Sequence, residues 1–158
     1  MTVLGLPDIE ATRQLGHVLS QQLRPGDIVA IDGDLGVGKT TLVRAVAESL
    51  GVPSDDIGSP SFGLVHEYAA PGVRIMHLDA YRLQGPDDLH SLGWSDWMAQ
   101  RDCIVLIEWA KRVNPLPERP ATVHVMLWHV AHGRDVEVCW KDAQRAAGTS
   151  WPASGESP

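Results

Sequence analysis

The sequence predicts an α/β fold, a three-layer sandwich in which a mixed, mainly parallel central sheet lies between helices and a C-terminal antiparallel hairpin extends it. Three observations carry this expectation. Residues 28–32 and 103–107 are short apolar runs without alternation, the pattern of strands covered on both faces. Leu15, Val18, Leu19 and Leu23, and then Leu42, Val43, Val46, Ala47 and Leu50, recur at helical spacing. Residues 122–130 alternate and lead across His132-Gly133-Arg134 into the run 136–140, which reads as a hairpin.

In chain order, residues 2–6 form a short strand stopped by Pro7, and Asp8 is placed to cap the first helix. Pro25-Gly26-Asp27 turns the chain into the strand 28–32, and the second helix runs from about residue 41 to 50, with Gly51 at its end. Residues 52–60 are rich in Pro, Ser, Asp and Gly and read as a surface loop. Two further strands, 62–68 and 73–78, flank Ala69-Ala70-Pro71-Gly72 as a hairpin, so the sheet is mixed. Short helices are expected over 87–92, ended by Gly93, and over 95–99, capped by Ser95. The domain is expected to span residues 1–145, with 146–158 a polar, Pro/Gly-rich disordered tail.

Between the second strand and second helix stands Gly33-Asp34-Leu35-Gly36-Val37-Gly38-Lys39-Thr40, followed by Thr41. The spacing is that of a phosphate loop, G-x-x-x-x-G-K-[ST]. Its glycines let successive N–H groups point inward at a helix N-terminus, where the macrodipole also favours an anion. Lys39 then reaches the β- and γ-phosphates of a nucleotide and the Thr40 hydroxyl is a ligand to Mg²⁺. The expected fold is therefore P-loop NTPase-like, with a nucleoside triphosphate and Mg²⁺ as cofactors.

Composition narrows the partners. At 158 residues, 44% hydrophobic and 21% charged, the chain fits one soluble globular domain. A net charge of −7 argues against a nucleic-acid-binding surface, because phosphate backbones require a basic footprint. No DNA contact is expected, and any RNA would be held mainly by a partner. No apolar run approaches membrane-spanning length and residues 1–6 lack the features of a signal peptide; a cytoplasmic location without membrane contact is expected. Cys103 and Cys139 lie in apolar runs and read as buried free thiols.

A phosphate loop needs an acid at the end of a neighbouring strand. Asp79 and Glu108 each follow an apolar run, and ligands of open α/β sheets gather beyond the carboxyl ends of the strands. Glu108 is favoured as the direct metal partner and Asp79 as orienting water or metal. Ser61, in Ser59-Pro60-Ser61-Phe62, stands where nucleotide hydrolases place a segment sensing the γ-phosphate, and its hydroxyl could reach metal or phosphate. Trp109 walls the site or belongs to a partner surface, and Arg82 could neutralise phosphate charge. His66, His77, His124, His129 and His132 lack the paired spacing of a metal site. A small nucleotide or metabolite kinase is an alternative, although Arg82 and Arg101 are poor material for a phosphate-closing lid. Another is a nucleotide-gated interaction module whose 59–62 loop responds to ATP. A guanine-reading Asn-Lys-x-Asp segment is absent.

Taken together, Leu6-Pro7-Asp8 with Ala11-Thr12, the phosphate loop, Ser59-Pro60-Ser61-Phe62, His77-Leu78-Asp79-Ala80-Tyr81-Arg82-Leu83, Leu89 with Gly93, and Leu106-Ile107-Glu108-Trp109 resemble the TsaE family, also called YjeE. This is the small P-loop ATPase of bacterial tRNA threonylcarbamoyladenosine biosynthesis, and the resemblance runs over about residues 6–138. It implies an ATP-hydrolysing subunit that works with TsaB and TsaD, the latter transferring the threonylcarbamoyl group to the adenosine beside the anticodon. It implies phosphate and Mg²⁺ binding by Lys39 and Thr40, metal ligation by Glu108, and support of activity by Asp79 and Trp109. It further implies adenine-side contacts from the segment of Asp8 and Thr12 and from the turn at Gly133 and Arg134. The chain departs from the family at Ser61, where threonine is usual, and at Ala110, where proline is common.

Overall fold

The computed structural model describes residues 1–58 and 64–151. Its strands are β1 (Thr2–Leu6), β2 (Ile28–Gly33), β3 (Val65–Ala70), β4 (Val73–Asp79), β5 (Cys103–Glu108), β6 (Val123–His129) and β7 (Arg134–Trp140). They form one sheet in the order β1-β7-β6-β2-β5-β4-β3. The four central strands β6, β2, β5 and β4 run parallel, while β7, β1 and β3 pair antiparallel toward the two edges. The expected mixed sheet, parallel at its centre, is thus observed.

Helices α1 (Ile9–Gln22) and α2 (Lys39–Ser49) cover one face. Asp8 caps α1 as its spacing requires, its carboxylate accepting the Ala11 N–H at 2.8 Å. The opposite face is covered by a 3-10 turn, Pro86–Leu92, and the short helix α3 (Trp94–Gln100), whose Trp94 is fully buried. The central strands serve both layers because successive side chains alternate across a sheet. Val29 and Ile31 enter the α1–α2 core, whereas Ile28 and Ala30 enter the Trp94 core. In β5, Ile104 and Leu106 face the first layer, and Cys103, Val105 and Ile107 the second.

The structure corrects several local expectations. Helix α3 begins at Trp94 with Gly93 before it, not at Ser95; the left-handed Gly93 closes the 3-10 turn and lets Trp94 enter the core. The strand expected over 62–68 is observed from Val65, and Phe62 lies outside the described residues. Cys103 is buried but Cys139 is exposed. Alternation in β7 sends Val138 and Trp140 inward and Cys139 outward, on a face that the short second layer does not reach. The boundary expected after residue 145 falls inside a helix, α4 (Ala143–Gly148). Arg145 holds it by bonding the Asp27 carboxylate at 2.7 Å, and Ala146 and Trp151 pack on the α1–α2 core. Among the described residues no helix is long and apolar enough to cross a membrane.

Candidate functional site

The loop between β2 and α2 has the strained backbone that its glycines predict. Gly38 adopts φ +110 as the N-cap of α2, and a Cβ there would lie 2.6 Å from Arg134 Nη1. The left-handed conformation disfavours any other residue there, while the arginine, being the far end of a flexible side chain, could move aside. Gly33 turns at φ +146, and a Cβ there would lie 2.4 Å from the Leu127 carbonyl oxygen of β6, a backbone atom that cannot give way. Val37 is fully buried and pins the loop to the α1–α2 core, while Leu35 is exposed at its tip. Asp34 contributes its carbonyl to a turn, accepting the Val37 N–H at 3.2 Å.

Lys39 is buried, and its ammonium donates to the carbonyls of Gly33 and Asp34, each at 2.8 Å. Its Nζ also stands 3.8 Å from the centre of the Trp109 ring, a cation–π distance. Burial pushes the Lys39 ammonium below its ordinary range, against the upward pull of Glu108, Asp79, Asp32 and Asp34. Trp109 reaches this position because it takes φ +58 at the corner after β5, a conformation that costs about 1 kcal/mol or more in a non-glycine residue. The turn is held from below by Asp32, whose Oδ1 accepts the Lys111 N–H at 2.9 Å. Asp32 escapes sequence reasoning because its partner is 79 residues away.

The two strand-end acids are brought together. Asp79 of β4 and Glu108 of β5 are register partners, and the two-residue period turns both toward α2. Glu108 is buried and its Oε1 accepts the Thr40 hydroxyl at 2.7 Å. Asp79 accepts the Tyr81 N–H at 3.0 Å. With Gly36, Gly38, Lys39, Thr40, Thr41 and Trp109 these acids line a cleft of about 270 Å³. A second cleft of about 320 Å³ lies against Gly33 and Asp34 on the Lys111 side of Trp109.

The remaining candidates separate. Gly133 packs on Leu6 and Pro7, and Arg134 lies over Gly38, so the N-terminal segment and the β6–β7 turn meet beside the loop. Thr12 is fully buried with its hydroxyl on the Asp8 carbonyl, and the Asp8 carboxylate is engaged in its cap; neither side chain lines the cleft. Arg82 is exposed and also lies outside it. Ser61 falls outside the described residues. One residue that the sequence reading assigned no role joins the site: His77 Nε2 is 2.6 Å from Glu108 Oε2. The signal was its place two residues before Asp79, which puts both on one face of β4.

These donors suit a nucleotide with Mg²⁺. Among the described residues Arg134 Nε is buried without a partner, an unsatisfied donor beside the phosphate loop that an anion would satisfy. Among the described residues no cluster of three or more His, Cys, Asp or Glu forms a metal cage. Mg²⁺ needs none, since it is commonly held by one or two carboxylates together with phosphates and water. A Thr hydroxyl and two carboxylates would offer it hard oxygen donors.

Comparison with known proteins agrees with this geometry. The family model described as "Threonylcarbamoyl adenosine biosynthesis protein TsaE" matches residues 6–136. A protein of Nostoc sp. named "tRNA threonylcarbamoyladenosine biosynthesis protein TsaE" is 36% identical over 143 residues, covering 87% of this chain and 85% of its own. Proteins of the same name from Synechocystis sp. and Streptomyces coelicolor are 38% and 39% identical, covering 72% and 67% of this chain and 73% and 72% of their own. The crystal structure of Bacillus subtilis YdiB shares the fold, with a TM-score of 0.71 at 23% identity over 92% of this chain and 89% of its own. A phosphate loop joined to a strand-end glutamate, within a sequence matched over most of its length, places this chain in the TsaE family.

Proposed function

We propose that this protein is a Mg²⁺-dependent ATPase that serves tRNA threonylcarbamoyladenosine biosynthesis, the process named in its relatives, as a cytoplasmic subunit acting with TsaB and TsaD. The observation that carries the reading is the 2.7 Å contact between the Thr40 hydroxyl and the Glu108 carboxylate. It ties the phosphate loop to the strand that would hold its metal. The net charge of −7 is consistent with tRNA being held by the partners. A metabolite kinase is not favoured, given the family and the exposed position of Arg82 away from the cleft.

The residues divide the work. Lys39 has three N–H donors, spends two on carbonyls, and so keeps one for a terminal phosphate oxygen. The amides of the loop and the N-terminus of α2 favour the charge that develops on the phosphates. Thr40, Glu108 and Asp79 would hold Mg²⁺, which when bound supplies Lewis-acid neutralisation of phosphate charge. Asp79, with one oxygen on its own turn, retains the other for metal or water. Arg134 reaches the Gly38 side of the loop, where its free Nε–H suits an inner phosphate. Trp109 keeps Lys39 in place and shuts water out from above.

The test is ATP hydrolysis by the chain alone and with TsaB and TsaD, in Mg²⁺ and in EDTA. Lys39→Ala is expected to abolish turnover, and Glu108→Ala to cost about 10²-fold or more of the Mg²⁺-dependent rate. Near-normal hydrolysis in both variants overturns the site assignment. Failure to co-purify with TsaB and TsaD, with or without ATP, overturns the partnership.

A further inference from the structure

Glu108 is held from two sides, and only one of them belongs to the phosphate loop. While Oε1 accepts from Thr40, Oε2 lies 2.6 Å from His77 Nε2, and both residues are buried. A carboxylate can only accept, so the His77 Nε2–H donates. The second ring nitrogen, Nδ1, lies 3.2 Å from the Tyr68 hydroxyl, which also contacts the Gly58 carbonyl at 3.1 Å. Burial pushes the Tyr68 phenol upward, so it keeps its one proton, for which His77 Nδ1 and the Gly58 carbonyl are alternative acceptors. The register explains the alignment: His77 and Tyr68 stand on adjacent strands, β4 and β3, facing the same layer as Glu108.

We propose that His77 is a positioning residue of the nucleotide site, holding Glu108 so that its free lone pairs and the Thr40 hydroxyl converge on one cation, with Tyr68 fixing the imidazole in turn. This rests on the Mg²⁺–ATP reading above. Its physical basis is general. A ligating carboxylate with a fixed outer partner does not rotate away from the metal, and loss of such a partner costs about 10- to 100-fold in metal affinity. A role confined to satisfying a buried polar group would act on the fold alone and leave no signature specific to the metal.

The experiment is Mg²⁺ titration of the full chain with a fluorescent ATP analogue, beside analogue binding in EDTA and a thermal melt. Wild type is expected to bind the analogue more tightly as Mg²⁺ rises. His77→Leu is expected to raise the Mg²⁺ midpoint about 10- to 100-fold, with EDTA affinity within about 3-fold of wild type. His77→Gln, which can present an amide N–H near the Nε2 position, is expected to recover most of the loss. Tyr68→Phe is expected to shift the midpoint by a smaller factor in the same direction, and it decides the matter if His77→Leu fails to fold. An unchanged midpoint in folded His77→Leu or in Tyr68→Phe overturns the proposal, as do equal losses with and without Mg²⁺ or no recovery in His77→Gln. If wild type itself shows no Mg²⁺ dependence, it is the Mg²⁺–ATP reading that fails.

Discussion

Helices α1 and α2 approach each other closely at Gly16, which makes a stability prediction that can be worked from geometry. A Cβ at Gly16 would stand 2.5 Å from the Ala45 Cβ, 2.9 Å from the Ala45 carbonyl carbon and 3.0 Å from the Val46 nitrogen. Two of these are backbone atoms that no rotamer change can move. Ordinary carbon contacts begin near 3.5 Å, so Gly16→Ala must part the helices by about 1 Å. Overpacking of this kind costs about 1–3 kcal/mol. Replacing a mid-helix glycine by alanine returns roughly 0.5–1 kcal/mol, leaving a net loss of up to about 2.5 kcal/mol, centred slightly above 1 kcal/mol. For a chain of this size that lowers Tm by roughly 2–8 °C in a thermal melt followed by circular dichroism. Gly148→Ala, where the added carbon meets nothing within 4 Å, serves as the control and should not lower Tm. Adding Ala45→Gly to Gly16→Ala removes the nearest clash, so the pair should be non-additive by about 0.5 kcal/mol or more. A Gly16→Ala protein melting at or above wild type would refute the reasoning, because the helices would then have room that the structure denies them.

Two further outcomes follow from the site and the sheet. Arg134→Ala should weaken ATP binding about 10- to 100-fold in calorimetry, the worth of one charge-assisted hydrogen bond; an unchanged affinity removes Arg134 from the phosphate contacts. Cys139 should be alkylated by iodoacetamide in the native protein while Cys103 is spared, as read by peptide mass mapping. Cys103 is buried and burial pushes its thiol up, which leaves little reactive thiolate. Modification of Cys103 at the rate of Cys139 counts against the packing of α3 on β5.

The elements legible in the sequence were those whose signal is local. The phosphate loop is written in eight consecutive residues because its job, turning tightly and presenting amides, is done by adjacent peptides. The uninterrupted runs of β2 and β5 announced strands covered on both faces, and Asp8 announced its cap. The 3-10 turn at Pro86–Leu92 and the start of α3 at Trp94 were less legible. Their geometry follows from the need to seat Trp94 and Leu89 in the core, not from nearby capping residues. Cys139 and α4 were misjudged for a related reason. Whether a face of β7 is covered, and whether residues 146–151 find something to pack on, depends on what lies across the sheet.

The sequence by itself therefore determined the chemistry on offer, an anion-binding loop with a lysine, a hydroxyl and two candidate acids, and it determined the family. Tertiary structure alone decided how these groups meet. Parallel pairing set Asp79 beside Glu108, and the alternation of side chains turned both toward α2. The left-handed corner at Trp109, supported by Asp32, laid an aromatic ring on Lys39. Pairing of β3 with β4 carried Tyr68 to His77, and so to the far oxygen of Glu108. Each of these contacts joins positions that are distant in sequence or lie on separate strands. They exist because hydrogen-bond register between strands, a property of the folded sheet, chooses which side chains share a face and a height.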